Sequence, residues 1–237
     1  MKKFVVVLLS AAMFVFTSCE KVVGEGPLVT ETRSVPQFTG ISSEMSGKVN
    51  FTLASTFNVE IRAQRNILDV VRTNVVNGVL HIDFKDGVRV REHEDLTINI
   101  LAPSAEYLRL SGSGNMDVIG DLVANNLQLK LSGSGNIAIQ KTIIANKIDA
   151  DLSGSGNISI LSGSAINEAL DVSGSGKIDL AGVNAENGIV KITGSGDMKV
   201  SLSKNLDANI TGSGSVYYHG NPLIKTKITG SGKVVPF

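Results

Sequence analysis

One five-residue phrase recurs seven times and leaves this chain few ways to fold. It reads SGSGN from Ser111, Ser132 and Ser153, SGSGK from Ser173, TGSGD from Thr193, TGSGS from Thr211 and TGSGK from Thr229. Successive copies start 21, 21, 20, 20, 18 and 18 residues apart. A fixed period of about 20 residues marks a stacked repeat, in which each unit buries its apolar face against the next.

The flanks of the phrase say which kind of repeat. Just before it stand Leu110, Leu131, Leu152, Val172, Ile192, Ile210 and Ile228, and just after it Met116, Ile137, Ile158, Ile178, Met198, Val216 and Val234. The next positions outward are mostly polar, as at Arg109, Lys130, Asp151, Asp171 and Lys191, and apolar residues return one step further on. A period of two, broken by two glycines, is the pattern of short strands with one buried face and offers no stripe at helical spacing. Glycine tolerates positive φ, so each phrase reads as a sharp corner, with Gly133, Gly154 and Gly174 expected to hold that conformation.

A corner of this kind permits two architectures. A hairpin turn would pair the two flanking strands with each other, giving an antiparallel meander. A solenoid corner would pair each strand with its counterpart one repeat later, so that like residues stack in columns. The regular spacing favours the solenoid, an all-β fold of about seven coils rising about 4.8 Å each, roughly 34 Å in all. Ile137, Ile158 and Ile178 would then form one inner column, and Asn115, Asn136 and Asn157 an amide ladder at the corner.

The first residues carry a different signal. Lys2 and Lys3 precede an apolar run from Phe4 to Phe16, and Thr17-Ser18 lead to Cys19, the only cysteine. The run is too short for a span of about 20 residues and reads as a signal peptide over residues 1–18. Phe16-Thr17-Ser18-Cys19 resembles a lipobox, with Phe16 in place of the usual Leu, which makes Cys19 the expected lipidation site and new N-terminus. Acyl chains there would hold the protein on a membrane without a spanning helix. Removing residues 1–18 leaves 20 Lys and Arg against 22 Asp and Glu. That balance argues against nucleic acid as a partner, because neutralising phosphates takes a basic surface.

Residues 19–27 read as a tether and residues 28–237 as a single β-solenoid domain, with regular repeats over 105–237. Residues 28–104 alternate less regularly, through Lys48–Leu53, Phe57–Ile61, Val79–Phe84 and Leu96–Ile100. They read as degenerate or capping coils. Asn77-Gly78 is a turn signal, and Ser46-Gly47-Lys48-Val49 echoes Ser231-Gly232-Lys233-Val234. Residues 67–76 are a candidate short helix.

Thr39-Gly40-Ile41, Asn77-Gly78-Val79-Leu80, Ala102-Pro103 and the SGSGN series together resemble the family of putative auto-transporter adhesin, head GIN domains, over residues 33–237. The resemblance implies a β-solenoid, an exported location and no catalytic motif.

The residues themselves offer little chemistry. A Gly-Ser-Gly loop cradles phosphate when a helix follows it, and here a strand follows every copy. Calcium-binding β-rolls need an Asp in each repeat, and only Asp197 fits. Asp149, Asp151 and Asp171 are the nearest thing to a paired-acid site, with Asp151 and Asp171 expected on adjacent coils. A glycosidase would also want aromatic platforms, and the chain has no Trp and only Tyr217-Tyr218 together in the repeats. His81, His93 and His219 lack metal-ligand spacing. No catalytic, cofactor or metal site is therefore expected. The expectation is an outer-membrane lipoprotein facing the periplasm or the cell surface, held by its lipidated N-terminus. Its role would be adhesin-like or structural, with a glycan or protein ligand, and the alternative is a glycan-binding or polysaccharide-degrading β-helix.

Overall fold

The computed structural model describes residues 20–237, so Cys19 and the expected signal peptide lie outside the described residues. The strands in chain order begin with β1 (Glu20–Val22), β2 (Leu28–Thr32), β3 (Gly40–Ser43), β4 (Lys48–Leu53) and β5 (Asn58–Gln64), followed by the single turn α1 (Arg65–Leu68). Next come β6 (Val71–Val76), β7 (Val79–Phe84), β8 (Val88–Val90), β9 (Thr97–Ala102), β10 (Tyr107–Gly112) and β11 (Asn115–Ile119). The long strands β12 (Leu122–Gly133), β13 (Asn136–Gly154), β14 (Asn157–Gly174), β15 (Lys177–Gly194) and β16 (Asp197–Gly212) follow, and β17 (Ser215–His219), β18 (Leu223–Gly230) and β19 (Lys233–Pro236) close the chain.

The fold is a β-solenoid. From β10 onward each strand pairs in parallel with its counterpart one repeat later. Ile137 lies opposite Ile158 and Ile158 opposite Ile178, the column read from the sequence. Hairpins across the phrase do not form. The full column runs Ile98, Val49, Met116, Ile137, Ile158, Ile178, Met198, Val216 and Val234, about 38 Å from end to end. Its members from Ile98 to Val216 are buried, and each such side chain contributes roughly 1.5–3 kcal/mol of burial.

The two glycines of the corner serve different ends. The first holds φ at 122° in Gly133 and 124° in Gly154 and Gly174, the conformation a side chain would strain. The carbonyl of Gly133 accepts bonds from the Ser155 and Gly156 amides of the next coil, at 3.0 and 3.1 Å. The second glycine is fixed by crowding: a Cβ on Gly156 would run into the Gly135 carbonyl oxygen and a Leu131 methyl.

Each coil turns twice more, and at the first of these turns four coils carry a glycine, Gly120, Gly163, Gly182 and Gly220, three of them at positive φ. In β13 the buried residues are Ile137 and Ile139, then Ile143 and Ala145, then Ile148, Ala150 and Leu152. The alternation slips between Ile139 and Ile143 and again between Ala145 and Ile148. The first break leaves the inward positions on odd numbers and the second moves them to even numbers, and together they divide the coil into three faces.

Chain order and spatial order part company near the N-terminus. β3 lies between β7 and β10, and β4 between β9 and β11, all parallel. The coil of β3 and β4 is thus sandwiched between two that come later in the chain. Lys48 shares a column with Asn115 and, further along, Lys233, so the Ser-Gly-Lys-Val echo is in register.

Beyond β7 and β9 the core is sealed. β5 pairs antiparallel with β9 and β2, and β6 antiparallel with β7 through the Asn77-Gly78 turn, whose φ values are 51° and 75°. Ile67 and Leu68 of α1 plug the end and are fully buried. The helix expected over 67–76 is corrected: helix occupies only Arg65–Leu68, and the β-branched run from Val71 is strand β6, where such side chains pack well. Within the stretch read as a tether, Glu20–Val22 pairs in parallel with β8. Asn66 donates to the Val23 carbonyl at 2.6 Å and accepts from the Glu25 amide at 3.0 Å, tying this segment to the sealed end.

Candidate functional site

Because nearly all inner positions of the described coils are filled by aliphatics, the three outer faces are where a ligand can meet polar side chains. The face that follows the SGSG corner has the most varied chemistry. Its edge is the amide ladder: Asn136 donates to Asn115 and Asn157 to Asn136, each at 2.7 Å. A second ladder, missed from the sequence, joins Asn167, Asn187 and Asn205 at 3.2 and 2.7 Å, with a separate Asn125–Asn146 pair at 2.6 Å. Its signal was present only in part, as an Asn two residues beyond an inward Ala at Asn167 and Asn187, whereas Asn205 stands three beyond the inward Leu202.

Along the first face, the outward column is Asp117, Ala138, Ser159, Asp179, Lys199 and Tyr217. Ala138 and Ser159 are small and leave a dip. On one side it is walled by Asp117, which meets Lys48 at 3.4 Å and accepts from Gln140 at 2.9 Å. On the other side stand Asp179, 3.8 Å from Lys199, and then Tyr217. A shallow groove here is lined by Ser159, Lys177, Asp179, Asp197, Lys199 and Tyr217. Planar amides, charges of both signs and one aromatic ring equip it to hydrogen-bond and stack on a polar polymer.

Tyr217 and Tyr218 do not act together. Adjacent strand residues face opposite ways, so Tyr217 lies outward and Tyr218 packs on the core. The three histidines are scattered over β7, the loop before β9 and β17, and among the described residues no group of three His, Cys, Asp or Glu is placed to hold a metal.

Asp151 and Asp171 are register partners on adjacent coils, as the repeat spacing implied. Each also faces a lysine on its other side: Lys130 at 3.8 Å from Asp151, Lys191 at 2.9 Å from Asp171. Asp149 meets Lys147 at 2.7 Å. Three acids held in ion pairs near the surface form a solvated charge ladder of little energetic weight.

One acid escaped sequence reading altogether. Glu168 occupies an inward column between Ile148 and Gly188, is 1% exposed, and neither carboxyl oxygen has a hydrogen-bond partner. Burial pushes its carboxyl up to about 8. Aligning the repeats would have exposed it as the one charged residue in an aliphatic slot.

These features define a rigid, parallel β-solenoid that presents registered polar columns. Residues 37–222 match the family described as putative auto-transporter adhesin, head GIN domain, and the chain belongs to that family. Membership points to an exported, envelope-associated protein. Similar solved structures include a putative adhesin from Bacteroides fragilis, with TM-score 0.84 and 23% identity, covering 91% of this chain and 100% of that one. A putative lipid binding protein from Parabacteroides distasonis has TM-score 0.81 at 22% identity, covering 92% and 100%. A putative adhesin from Parabacteroides merdae has TM-score 0.79 at 23% identity, covering 92% and 99%. At these identities the likeness concerns the fold. Among curated proteins, none matches the chain.

Proposed function

We propose that this chain is a lipid-anchored protein of the outer membrane that binds an extended polar polymer, a glycan or a protein, along the face beside the Asn115–Asn136–Asn157 ladder, and that it works without catalysis. The dip at Ala138 and Ser159, bordered by charged residues and Tyr217, carries this reading. There small side chains lie between hydrogen-bonding groups and an aromatic ring.

The purified protein applied to a glycan array is expected to bind a defined subset, and Ser159→Arg, which fills the dip from outside, to abolish that binding with no change in Tm. Binding that survives both Ser159→Arg and Tyr217→Ala would move the ligand elsewhere. Turnover of a bound glycan would replace adhesion with catalysis.

The anchor is tested separately. Cys19→Ala is expected to remove labelling by radioactive palmitate and to shift the protein out of the detergent phase. Persistent labelling would refute a lipid at Cys19.

A further inference from the structure

We propose that the ribbon of β1 and β8 is a second membrane contact, in which Lys21, Arg89 and Arg91 meet anionic phospholipid headgroups and Val23 enters the interface between them. The sealed end of the stack then stands on the membrane, and the later coils lead away from it. The inference rests on the lipid proposed above for Cys19.

The ribbon has two unlike sides. Its register pairs are Glu20 with Val88, Lys21 with Arg89 and Val22 with Val90. The Arg91 amide donates to the Val22 carbonyl and the Gly24 amide to the Glu92 carbonyl, which extends the ladder and sets Val23 beside Arg91. Val22 and Val90 pack on the core, so Lys21, Val23, Arg89 and Arg91 point the other way. The three cations are exposed, and Val23 is 47% exposed. Glu20 and Glu92 alternate with these positions and fall on the side of the two packed valines. Asn66 grips the Val23 carbonyl from the sealed end, so the face is held in place.

The charges on this face are unrelieved. Lys21 and Arg89 are register partners, and like charges so placed are destabilising. In the long coils such pairs find an opposite charge on their other side. Arg109 and Lys130 are partners, and they meet Glu44 and Asp151; Asp151 and Asp171 are partners, and they meet Lys130 and Lys191. Among the described residues Lys21, Arg89 and Arg91 make no ion pair at all. Three cations around an exposed valine call for anions supplied from outside.

Position identifies their source. Cys19 directly precedes Glu20, whose amide donates to the Gly87 carbonyl at 2.8 Å. Consecutive Cα atoms lie about 3.8 Å apart, so no slack separates an acylated Cys19 from the ribbon. The anchor holds the ribbon beside the headgroups at a high effective concentration, which no soluble partner matches. Basic residues there are drawn to anionic lipid, and acyl chains with a basic patch hold more firmly than acyl chains alone.

The chain has no Trp, so Val23→Trp places a single indole on the proposed contact. The full-length chain, processed in cells, is reconstituted into vesicles of phosphatidylcholine, alone or in equal parts with phosphatidylglycerol. With phosphatidylglycerol present, the indole emission is expected to shift to the blue and to be quenched by brominated acyl chains. Pure phosphatidylcholine, high salt, or Arg89→Glu with Arg91→Glu is expected to abolish both effects, with Tm unchanged. Those two arginines are far from Cys19 in sequence, so its processing is left alone. An indole placed instead by Lys227→Trp, at the other end of the stack, should stay unquenched throughout. An unquenched indole at position 23 in a chain that floats with the vesicles would overturn the proposal. Quenching that ignores lipid charge or survives the double variant would overturn it equally. Flotation with neutral vesicles reads the anchor by itself. If that fails, quenching of the unanchored chain by anionic vesicles still supports the ribbon contact, and its absence overturns it.

Discussion

Glu168 shows how much one residue can weigh in a fold built from identical slots. Its carboxyl is pushed up to about 8 by burial alone, against 4.5 for a free glutamate. The folded chain therefore holds a proton that the unfolded chain has released. The contribution of Glu168 to stability is fully present below pH 4.5 and falls by about 1.4 kcal/mol per pH unit until the folded carboxyl ionises near 8, after which the loss levels off. Thermal unfolding followed by circular dichroism should give a Tm that drops between pH 5 and 8. Glu168→Leu, which restores the aliphatic column of Ile148 and Leu206, should raise Tm and flatten that profile. An equal drop in the variant would assign the pH dependence to other groups. The position was hidden from sequence reading because the alternation slips at the outward pair Ile166 and Asn167, and a slip of one residue decides whether Glu168 points in or out. The corner glycines were legible for the opposite reason: they recur at a fixed place, and positive φ and close approach both demand them.

At the scale of elements, register is the property that can be tested most directly. Ala138 and Ser159 are outward partners on β13 and β14. Register neighbours in adjacent strands lie about 5 Å apart, inside the Cα limit of about 7 Å for a disulfide. Ala138→Cys with Ser159→Cys, made in the Cys19→Ala background, should oxidise fully, with thiol titration as the readout, and keep its Tm. Lys130→Cys with Ala138→Cys, across the corner, should stay reduced. The reverse result would mean that the strands pair as hairpins. The parallel columns and the first Asn ladder were legible because each repeat restates them. The other two corners were less so: Gly120, Gly163, Gly182 and Gly220 mark the second corner only in some coils, and the third arises from a slip in alternation. Residues 67–76 show the limit of short apolar runs, where strand and helix periodicity cannot be told apart and Val71, Val75 and Val76 tip the outcome to strand.

The whole molecule is a stack with unlike ends. Stability in such a stack is close to a sum of contacts between neighbouring coils, so a coil with one neighbour opens more readily than a coil with two. Hydrogen exchange should be fastest over β18 and β19 and slowest over β13 and β14, with the sealed end protected through Ile67 and Leu68. Uniform exchange along the stack would contradict that order. The sealed end was the least legible part of the chain, because β3 pairs with β7 across an intervening β4, β5, α1 and β6, and no local pattern encodes a partner so distant.

The interleaving of β3 and β4 between later coils also governs how a gene for this fold can change in length. Tandem duplication of about 20 codons within residues 105–237 inserts one more rung and shifts the rest outward, with every column intact. The same event across residues 40–102 would separate β3 from β7 or from β10 and break the pairing on one side. Length is adjustable only away from the sealed end, so reach can vary from one relative to another while the base stays constant.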